Sequence, residues 1–414
     1  MRHPFRVLLI LIVAICSFTS CSDDESVDIT KINKQTILVF MPWTGDDLSN
    51  IVFKENLDSI EGAIIKAKRL DCKLLVFLST SATTSDLYEI TYQKGVITHT
   101  PIKTYAGKDY TTAAGITQIL NDVQTEAYAL NYAMMIGCHG CGWTYKNDWT
   151  NYPYQAKMHF MQADDASWNQ AKASPYGHHR TNTPTPPTRF FGSINDMESA
   201  IDITDLATGI QDAGIKMQFI LFDDCYMANV ETAYELRHAT NFLIGSTSEV
   251  MLTGMPYQTV WHNLATSTPA YDKTISAFHT YYQSYIMPYG ALSAIDCRKV
   301  EGLAEVMLKI NKQNTFDESL RDSLQVLDGF ETSIFYDMGR YVDKLCAQPA
   351  LLSDFHARLS EVVKATATTD TLFSALHRPF TKVKNYSGLT ISDPSKNAVA
   401  LKGKEKTAWW IATH

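Results

Sequence analysis

The sequence lacks the features that define several classes of protein. Basic side chains are in deficit, because 36 Lys and Arg stand against 44 Asp and Glu and leave a net charge of -8. This balance provides no broad cationic surface, so we expect no nucleic-acid partner. No internal repeat occurs, and no hydrophobic run beyond residue 20 is long enough to cross a bilayer. With a hydrophobic content of 45%, the expectation that remains is a globular protein with one large core or two modest ones.

Cysteine is also scarce for a chain of 414 residues. Of the eight cysteines, Cys16 and Cys21 fall in the N-terminal segment, and the others are scattered. Their spacing does not predict a disulfide scaffold, so we expect at least one free thiol. These scattered cysteines are Cys72, Cys138, Cys141, Cys225, Cys297 and Cys346.

The first twenty residues have the pattern of an export signal. Basic residues precede an apolar run at 7–15 that is too short to span a membrane. The small residues before Cys21 resemble the lipobox of bacterial lipoproteins, which implies removal of residues 1–20 and a lipid anchor on Cys21. The acidic residues at 23–25 resemble a surface-export signal, so we expect a protein of the cell envelope, anchored to the outer membrane and exposed at the surface. The alternative is an ordinary secretory signal cut nearby.

The first half of the chain alternates between strand and helix patterns. After a polar tether at 21–34, short β-branched and aromatic runs predict buried strands, and apolar residues at helical spacing predict the helices between them. The predicted order is a strand at 36–41, a helix from 46, a strand at 72–78, a hairpin at 87–99, a helix at 111–125 and a strand at 128–137. This alternation predicts an α/β fold with a mostly parallel sheet.

The second half begins in the same way and then becomes mainly helical. A helix at 203–211, a strand at 216–222, a helix at 228–237 and a strand at 242–245 extend the α/β unit to about residue 255. We therefore predict one domain at 35–255 and a helical C-terminal region at 256–414 with terminal strands. The predicted helices of that region lie at 273–285, 299–310, 320–327, 338–346 and 350–365.

A segment rich in proline, asparagine and threonine at 144–188 interrupts the α/β unit. It has no sustained periodicity and predicts a long surface insert. Its basic residues are candidate sites of proteolytic nicking. They are Lys146, Lys157, Lys172, Arg180 and Arg189. The adjacent histidines at 178 and 179 are expected to be solvated.

Two of the predicted strands stop at reactive side chains, His139 and Cys225. Because the carboxyl ends of parallel strands meet at one edge of a sheet, we expect the two residues to lie close together. A thiol beside an imidazole predicts a cysteine nucleophile with its general base. Taken separately, each has a structural alternative: His139 as a hydrogen-bonded turn residue and Cys225 as a small buried hydrophobe.

Attack by a thiol on an amide creates an oxyanion that needs N–H donors. The backbone N–H groups of Cys225 and Gly140 are the predicted donors. We also expect Gly140 and Gly142 to form a flexible rim with few side chains.

A metal site is the competing interpretation of the same residues, because Cys138, His139, Cys141 and Cys225 are ligand types that zinc prefers. Against it, adjacent side chains at 138 and 139 point in opposite directions along a strand, and no second C-x-x-C pair is present. We expect no metal here, with Cys138 and Cys141 as turn or core residues.

The motif H-G-x-G-W at 139–143, followed by FDDCYMANVETAYEL at 222–236, resembles the clostripain family of cysteine peptidases in the caspase-like clan. Further similarity lies in LVFMPWTGDDL at 38–48, Ser248-Glu249, the strand-like 387–391 and the tryptophan-containing tail. The resemblance implies a caspase-like α/β/α sandwich that cleaves protein or peptide substrates, with His139 as base and Cys225 as nucleophile. A surface-tethered binding protein that keeps this fold without activity is the alternative.

The resemblance also implies cleavage after Arg or Lys, recognised by an acid two residues before the nucleophile. Asp223 occupies that position, Asp224 is its rival, and the structural alternative for either is a carboxylate that fixes the turn. A second pocket acid and a Pro-Gly-x-Gly turn are missing after Glu249. Glu249 itself either shapes the substrate cleft or caps a helix or turn, and we prefer the capping role. Calcium dependence is known in the family, but no EF-hand pattern occurs. Some relatives are activated by cleavage between the two motifs, where the insert lies.

Overall fold

The computed structural model describes residues 33–45, 47–149, 191–193, 196–251 and 253–414, without the side chains of residues 47–51 and 53. The predicted export signal, the lipidation site at Cys21 and most of the insert lie outside these residues. Of the candidate nicking sites only Lys146 is described, and it is not freely exposed. Its amide donates to Asp202 at 2.9 Å and its Nζ to the Ala200 carbonyl at 3.1 Å.

The described chain contains the following elements. The strands are β1 Gln35–Met41, β2 Lys73–Ser81, β3 Thr84–Gln93, β4 Val96–Ala106, β5 Asn131–Gly137, β6 Phe191–Gly192, β7 Ala200–Ile201, β8 Met217–Asp223, β9 Thr240–Gly245, β10 Ala291–Asp296, β11 Tyr336–Asp337, β12 Val363–Thr368, β13 Thr371–Phe373, β14 Phe380–Lys382 and β15 Thr390–Ile391. The helices are α1 Asp47–Ala67, α2 Ala113–Glu126, α3 Ile203–Asp212, α4 Val230–Glu235, α5 Tyr257–Leu264, α6 Tyr271–Ser284, α7 Val300–Gln313, α8 Met338–Leu345, α9 Pro349–Val362, α10 Ala398–Gly403 and α11 Ala408–Thr413.

Nine strands form one sheet in the order β12-β10-β9-β8-β5-β1-β2-β3-β4. The central strands from β9 to β2 run parallel, whereas the strands beyond them pair antiparallel. Every residue of β1 is buried, as expected for a strand covered on both faces, and this explains its continuous apolar sequence. The predicted α/β class with a mostly parallel sheet is confirmed.

Helices cover both faces of this sheet. Helix α1 connects β1 to β2, whereas α3 lies in the connection from β5 to β8, which runs in the opposite direction along the sheet. Because crossovers between parallel strands are right-handed, the two connections lie on opposite faces. Helix α5 packs against α1 and α2 packs against α3, which produces the α/β/α sandwich.

The predicted hairpin forms one edge of the sheet. Its turn consists of Lys94 and Gly95, both with positive φ (50° and 89°), as a two-residue turn between twisted strands requires. At the opposite edge, the mainly helical C-terminal region contributes β10 and β12, which the sequence did not predict. The sheet therefore continues past the predicted boundary at residue 255. Residues 320–327 do not form the predicted helix, because a short 3-10 segment at Glu318–Ser323 ends before residue 324.

None of the helices among the described residues is both long and apolar enough to cross a membrane.

Candidate active site

The two reactive side chains follow neighbouring strands of the sheet. β5 and β8 are paired in parallel, with Gly137 aligned with Asp223. His139 and Cys225 each come two residues after this aligned pair, in loops at the carboxyl edge of the sheet. The fold therefore brings the two predicted loops side by side, at the edge where open α/β sheets bind their ligands.

Gly140 packs directly against the loop that carries Cys225. A Cβ atom on residue 140 would lie 2.6 Å from the carbonyl oxygen of Cys225 and 3.0 Å from its nitrogen. It would also lie 2.6 Å from the Cβ atom of Asp224. These distances are well below normal carbon contacts, so the loops approach this closely only because residue 140 has no side chain.

The loop beyond His139 is covered by the C-terminal part of the chain. Gly140 and Gly142 are both buried. The indole N–H of Trp143 donates to the Ser392 hydroxyl at 2.8 Å. The expected flexible rim is therefore wrong, because the glycines are packed between other segments.

Cys225 is the one partly exposed residue among the described cysteines, and the other five are buried. Its Sγ accepts a hydrogen bond from the Val250 amide at 3.3 Å. Burial is the main reason that the pKa of this thiol lies well above its ordinary value, and the nearby carboxylate of Glu249 adds to the effect. The thiol is therefore protonated at neutral pH, and attack on a carbonyl requires a base.

The backbone of His139 is held by the chain that follows the insert. The His139 amide donates to the Gly192 carbonyl at 3.4 Å, and the Gly192 amide donates to the His139 carbonyl at 3.0 Å. The His139 side chain is partly exposed. This two-bond bridge joins the segments before and after the insert, so residues on both sides of it build the imidazole loop.

Asp224 fixes the end of β5. Its carboxylate accepts hydrogen bonds from the Cys138 amide at 2.8 Å and from the Cys138 thiol at 3.4 Å. The side chain is 1% exposed, and burial raises the pKa of its carboxyl well above the ordinary value. Asp224 thus has the neighbours expected of the structural alternative, and Cys138 is the buried residue that the sequence predicted.

Asp223 has different neighbours, on α1 and in the loop before α5. Asn56 Nδ2 lies 3.4 Å from its Oδ2, and a Cβ atom on Gly254 would lie 2.8 and 2.9 Å from the two carboxylate oxygens. Within the described residues, its Oδ1 has no hydrogen-bond partner. Burial raises the pKa of Asp223 to about 6, although the Met255 amide and the Tyr257 hydroxyl act to lower it. Asp223 therefore differs from Asp224 in having a buried carboxylate oxygen without a hydrogen-bond partner among the described residues.

The sequence did not reveal how the C-terminal segment supports both loops. Besides its bond to the Trp143 indole, Ser392 donates its amide to Glu231 Oε1 on α4 at 2.7 Å. The Thr390 amide donates to the Ala228 carbonyl at 3.1 Å. The family-like pattern at 387–391 marked this segment as important, but it carried no information about these contacts.

The geometry of a metal centre is not found in the described part of the chain. Its residues include no group of three His, Cys, Asp or Glu side chains that could hold a metal ion. Of the candidate ligands, Cys138 bonds to Asp224 and Cys141 is fully buried. The described residues likewise offer no cluster of three acidic side chains for the calcium ion that the family resemblance implies, and we derive no step through a metal.

A thiol and an imidazole at the carboxyl ends of adjacent parallel strands, on an α/β/α sandwich, define a cysteine hydrolase. The comparisons agree with this class. The model of the clostripain family matches residues 188–372. A secreted C11 cysteine protease from Bacteroides thetaiotaomicron, "iotapain", is 38% identical; the match covers 92% of this chain and 100% of that chain, with a TM-score of 0.79.

Two further solved structures are similar. A clostripain from Bacteroides thetaiotaomicron ATCC 29148, in complex with a peptide inhibitor, is 44% identical over 54% of this chain and 99% of that chain, with a TM-score of 0.53. An inactive zymogen C11 protease from Parabacteroides distasonis, 22% identical, shares the fold over 92% of this chain and 99% of that chain, with a TM-score of 0.72. Among curated proteins, none matches. The chain belongs to the clostripain family, and it is a cysteine peptidase.

Proposed function

We propose that Cys225 and His139 form a catalytic dyad that hydrolyses peptide bonds after Lys or Arg. The observation that supports the dyad best is the contact of Gly140 with the Cys225 backbone. It ties the two loops together at the carboxyl edge of β5 and β8, where a single substrate amide can reach both side chains.

In the proposed reaction, His139 accepts the thiol proton as Sγ bonds to the carbonyl carbon of the substrate. The C–N bond then breaks, and the imidazolium returns the proton to the leaving amine. Water activated by His139 hydrolyses the remaining thioester, which releases the acid and restores the thiol. Because the thiol is protonated in the absence of substrate, the mechanism requires a base that removes its proton during the attack.

The carbonyl oxygen becomes negatively charged in both halves of this reaction. We assign its stabilisation to the backbone N–H groups of Cys225 and Gly140, which belong to the two loops in contact. Two N–H donors aimed at a developing oxyanion stabilise the transition state more than the ground state.

We assign Asp223 to the recognition of a basic side chain before the cleaved bond. Its Oδ1, which has no hydrogen-bond partner among the described residues, supports this role. Further support comes from the 44% identical clostripain, whose peptide inhibitor is written BTN-VLTK-AOMK and ends its peptide part in lysine. Asn56, rather than a second acid, is the polar partner of Asp223 here.

The dyad is tested with the purified protein and its Cys225→Ala and His139→Ala variants on a peptide library. Both variants are expected to lose amide hydrolysis while they keep the unfolding temperature of the wild type. Iodoacetamide is expected to label Cys225 and to abolish activity. The Cys346→Ala variant, which lacks one of the buried thiols, is expected to remain active. An unmodified wild-type protein that binds peptides but cleaves none would instead favour the binding-protein alternative.

The specificity is tested by comparing Lys and Gln before the cleaved bond. Asp223→Asn is expected to lower the preference for Lys by about tenfold or more, because an ammonium buried beside a neutral amide loses its charge partner. Asp393→Asn is the matched control, since Asp393 is also buried with a raised pKa, about 7, but lies in the C-terminal region. An unchanged preference in Asp223→Asn would remove Asp223 from the specificity pocket.

We further propose that cleavage within the insert at 144–188 activates the chain.

We also propose that a lipid on Cys21 anchors the protein to the outer membrane, with the enzyme at the surface. The relative iotapain is described as secreted. Growth with labelled palmitate tests the anchor. Wild type and Cys16→Ser are expected to incorporate the label, and Cys21→Ser is expected to lose it. A wild-type protein without label would support an ordinary secretory signal.

A further inference from the structure

The residue after Cys225 has an unusual backbone conformation. Tyr226 has φ of 63°, in the left-handed region that bulky side chains seldom adopt because it is strained. Its side chain is fully buried. A conformation of this kind persists only where surrounding contacts hold it, so those contacts determine where Sγ of Cys225 points.

Aromatic packing holds the ring of Tyr226 on one side. It stacks on Phe335, with ring centroids 5.0 Å apart and an interplanar angle of 12°, and it contacts Phe330 at 5.8 Å. The Tyr226 amide donates to the Ser248 carbonyl at 2.9 Å. The ring and the backbone are therefore fixed by different segments, and the phenol hydroxyl remains to be satisfied.

Glu249 accepts the hydrogen bond of that hydroxyl. Its Oε1 lies 2.6 Å from the Tyr226 hydroxyl oxygen and also accepts from the Ser374 hydroxyl. Its Oε2 accepts from the Ala375 amide at 2.8 Å. The carboxylate thus cross-links the nucleophile loop to the segment at 374–375, and this is more than the capping role expected from the sequence.

The same residue also determines where a backbone donor points. Val250 follows Glu249 directly, and its amide donates to Cys225 Sγ at 3.3 Å. With the Glu249 side chain held by three donors and the Ser248 carbonyl bonded to the Tyr226 amide, the Val250 N–H has little freedom to leave the sulfur.

We infer that Glu249 is a positioning residue for the nucleophile, which acts through Tyr226 and through the Val250 amide to hold the thiol in its attacking geometry. The inference rests on the proposed role of Cys225 as nucleophile. It assigns Glu249 no contact with substrate.

The charge of Glu249 has a second effect, on the ionisation of Cys225. The titratable groups close to the thiol are Glu249, Asp224 and Cys141, with His139 in the adjacent loop. Glu249 and Asp224 both disfavour the thiolate. A thiol kept protonated at rest is protected from premature alkylation and oxidation, because the thiolate is the reactive form.

Two variants separate positioning from charge. Glu249→Gln removes the charge and places an amide N–H₂ against one of its three donors, whereas Tyr226→Phe keeps the charge and removes one hydrogen bond. The readouts are kcat and KM for one peptide substrate, and the pH dependence of alkylation of Cys225 by iodoacetamide, followed by mass spectrometry without substrate.

Both variants are expected to lower kcat about tenfold or more with little change in KM, as a misplaced nucleophile does. In Glu249→Gln the midpoint of alkylation is expected to fall by about one pH unit or more, because a nearby negative charge is lost. In Tyr226→Phe the midpoint does not fall. Glu235→Gln is the matched control, because Glu235 is a partly buried acid with a raised pKa whose replacement leaves kcat and the midpoint unchanged.

The inference is overturned if Glu249→Gln matches Glu235→Gln in both readouts. If Glu249→Gln does not fold, Ser374→Ala decides the matter, because it removes one donor to Glu249 and leaves Cys225 and its neighbours intact; an unchanged kcat there is equally decisive. Alkylation needs no catalysis, so failure of the dyad itself would appear separately, as a wild type that is alkylated but inactive.

Discussion

Asp223 and Asp224 are adjacent in the chain, but their carboxylates have different neighbours. Successive side chains at the end of a strand point in opposite directions. Asp224 turns toward Cys138 on the neighbouring strand and is used to fix the backbone. Asp223 turns toward Asn56 on α1 and keeps an oxygen without a partner among the described residues. At the scale of single residues, the direction of a side chain decides which acid fixes the backbone and which one we propose for substrate recognition.

The raised pKa of Asp223, about 6, predicts a pH dependence of specificity. Below pH 6 the carboxyl is protonated and cannot pair with a lysine ammonium, and above pH 6 it is ionised. The ratio of kcat/KM for Lys over Gln substrates is therefore expected to rise between pH 5 and 7. Titration of the dyad cancels in this ratio. A ratio that stays flat in the wild type, or still rises in Asp223→Asn, would contradict the assignment.

Gly140→Ala is expected to lower activity about a hundredfold or more. Its Cβ atom would press on the Cys225 backbone, which cannot move without shifting the sulfur, and small displacements of reacting atoms cost this much. Gly62→Ala is the control, because its Cβ atom on α1 would meet only Gln258, at 3.5 Å. That variant is expected to keep its activity and gain up to about 1 kcal/mol of stability. Equal activity of the two variants would show that the loop contact is unimportant.

The positions of His139 and Cys225 were predictable from the sequence, because each follows an apolar run that ends abruptly. The left-handed conformation of Tyr226 was not predictable, since local preferences of a tyrosine oppose it. It depends on Phe335 and Glu249, which are distant in the chain. Local sequence therefore locates reactive groups but does not show what orients them.

At the scale of secondary-structure elements, Glu231 connects α4 to the chain just after β15. Its Oε1 accepts the Ser392 amide, and burial, with a smaller contribution from Asp393, raises the pKa of its carboxyl to about 8. In the unfolded chain the same carboxyl ionises near its ordinary value of 4.5. The folded state therefore keeps a proton that the unfolded state loses, and this residue's contribution to stability falls as pH rises from about 4.5 to 8.

Glu231→Gln is expected to remove this loss of stability at higher pH. Thermal unfolding at pH 5 to 8 should show a smaller fall in Tm for the variant than for the wild type, with a difference in stability of several kcal/mol at pH 8. The amide oxygen of Gln still accepts the Ser392 amide. Glu305→Gln, on the exposed side of α7, should leave the wild-type pH dependence unchanged. Parallel curves for wild type and Glu231→Gln would rule out a buried, protonated Glu231.

The central parallel strands were predictable because their apolar runs are continuous. The antiparallel strands β10 and β12, at the edge opposite the hairpin, were not predictable. β12 follows α9 without a break and contains alanines that also suit a helix. Pairing with β10 overrides that preference. The sequence therefore reveals the buried centre of the sheet better than its edges, where pairing rather than composition decides.

At the scale of the whole molecule, the chain on either side of the insert forms one structure. β5 before the insert pairs with β8 after it, and His139 is bridged to Gly192. A cut within the insert leaves these contacts intact. Limited digestion there is therefore expected to give two fragments on a denaturing gel that elute as one species in native size-exclusion chromatography, at the volume of the uncut chain. Separate elution would mean that the covalent link holds the halves together.

Thr390 and Ser392, close to the C-terminus, bond to the helix and loop that follow the nucleophile and the imidazole. A ribosome makes these residues after it has made His139 and Cys225. The reactive groups are thus synthesised before the residues that support their loops, so these hydrogen bonds form only after translation has passed residue 392.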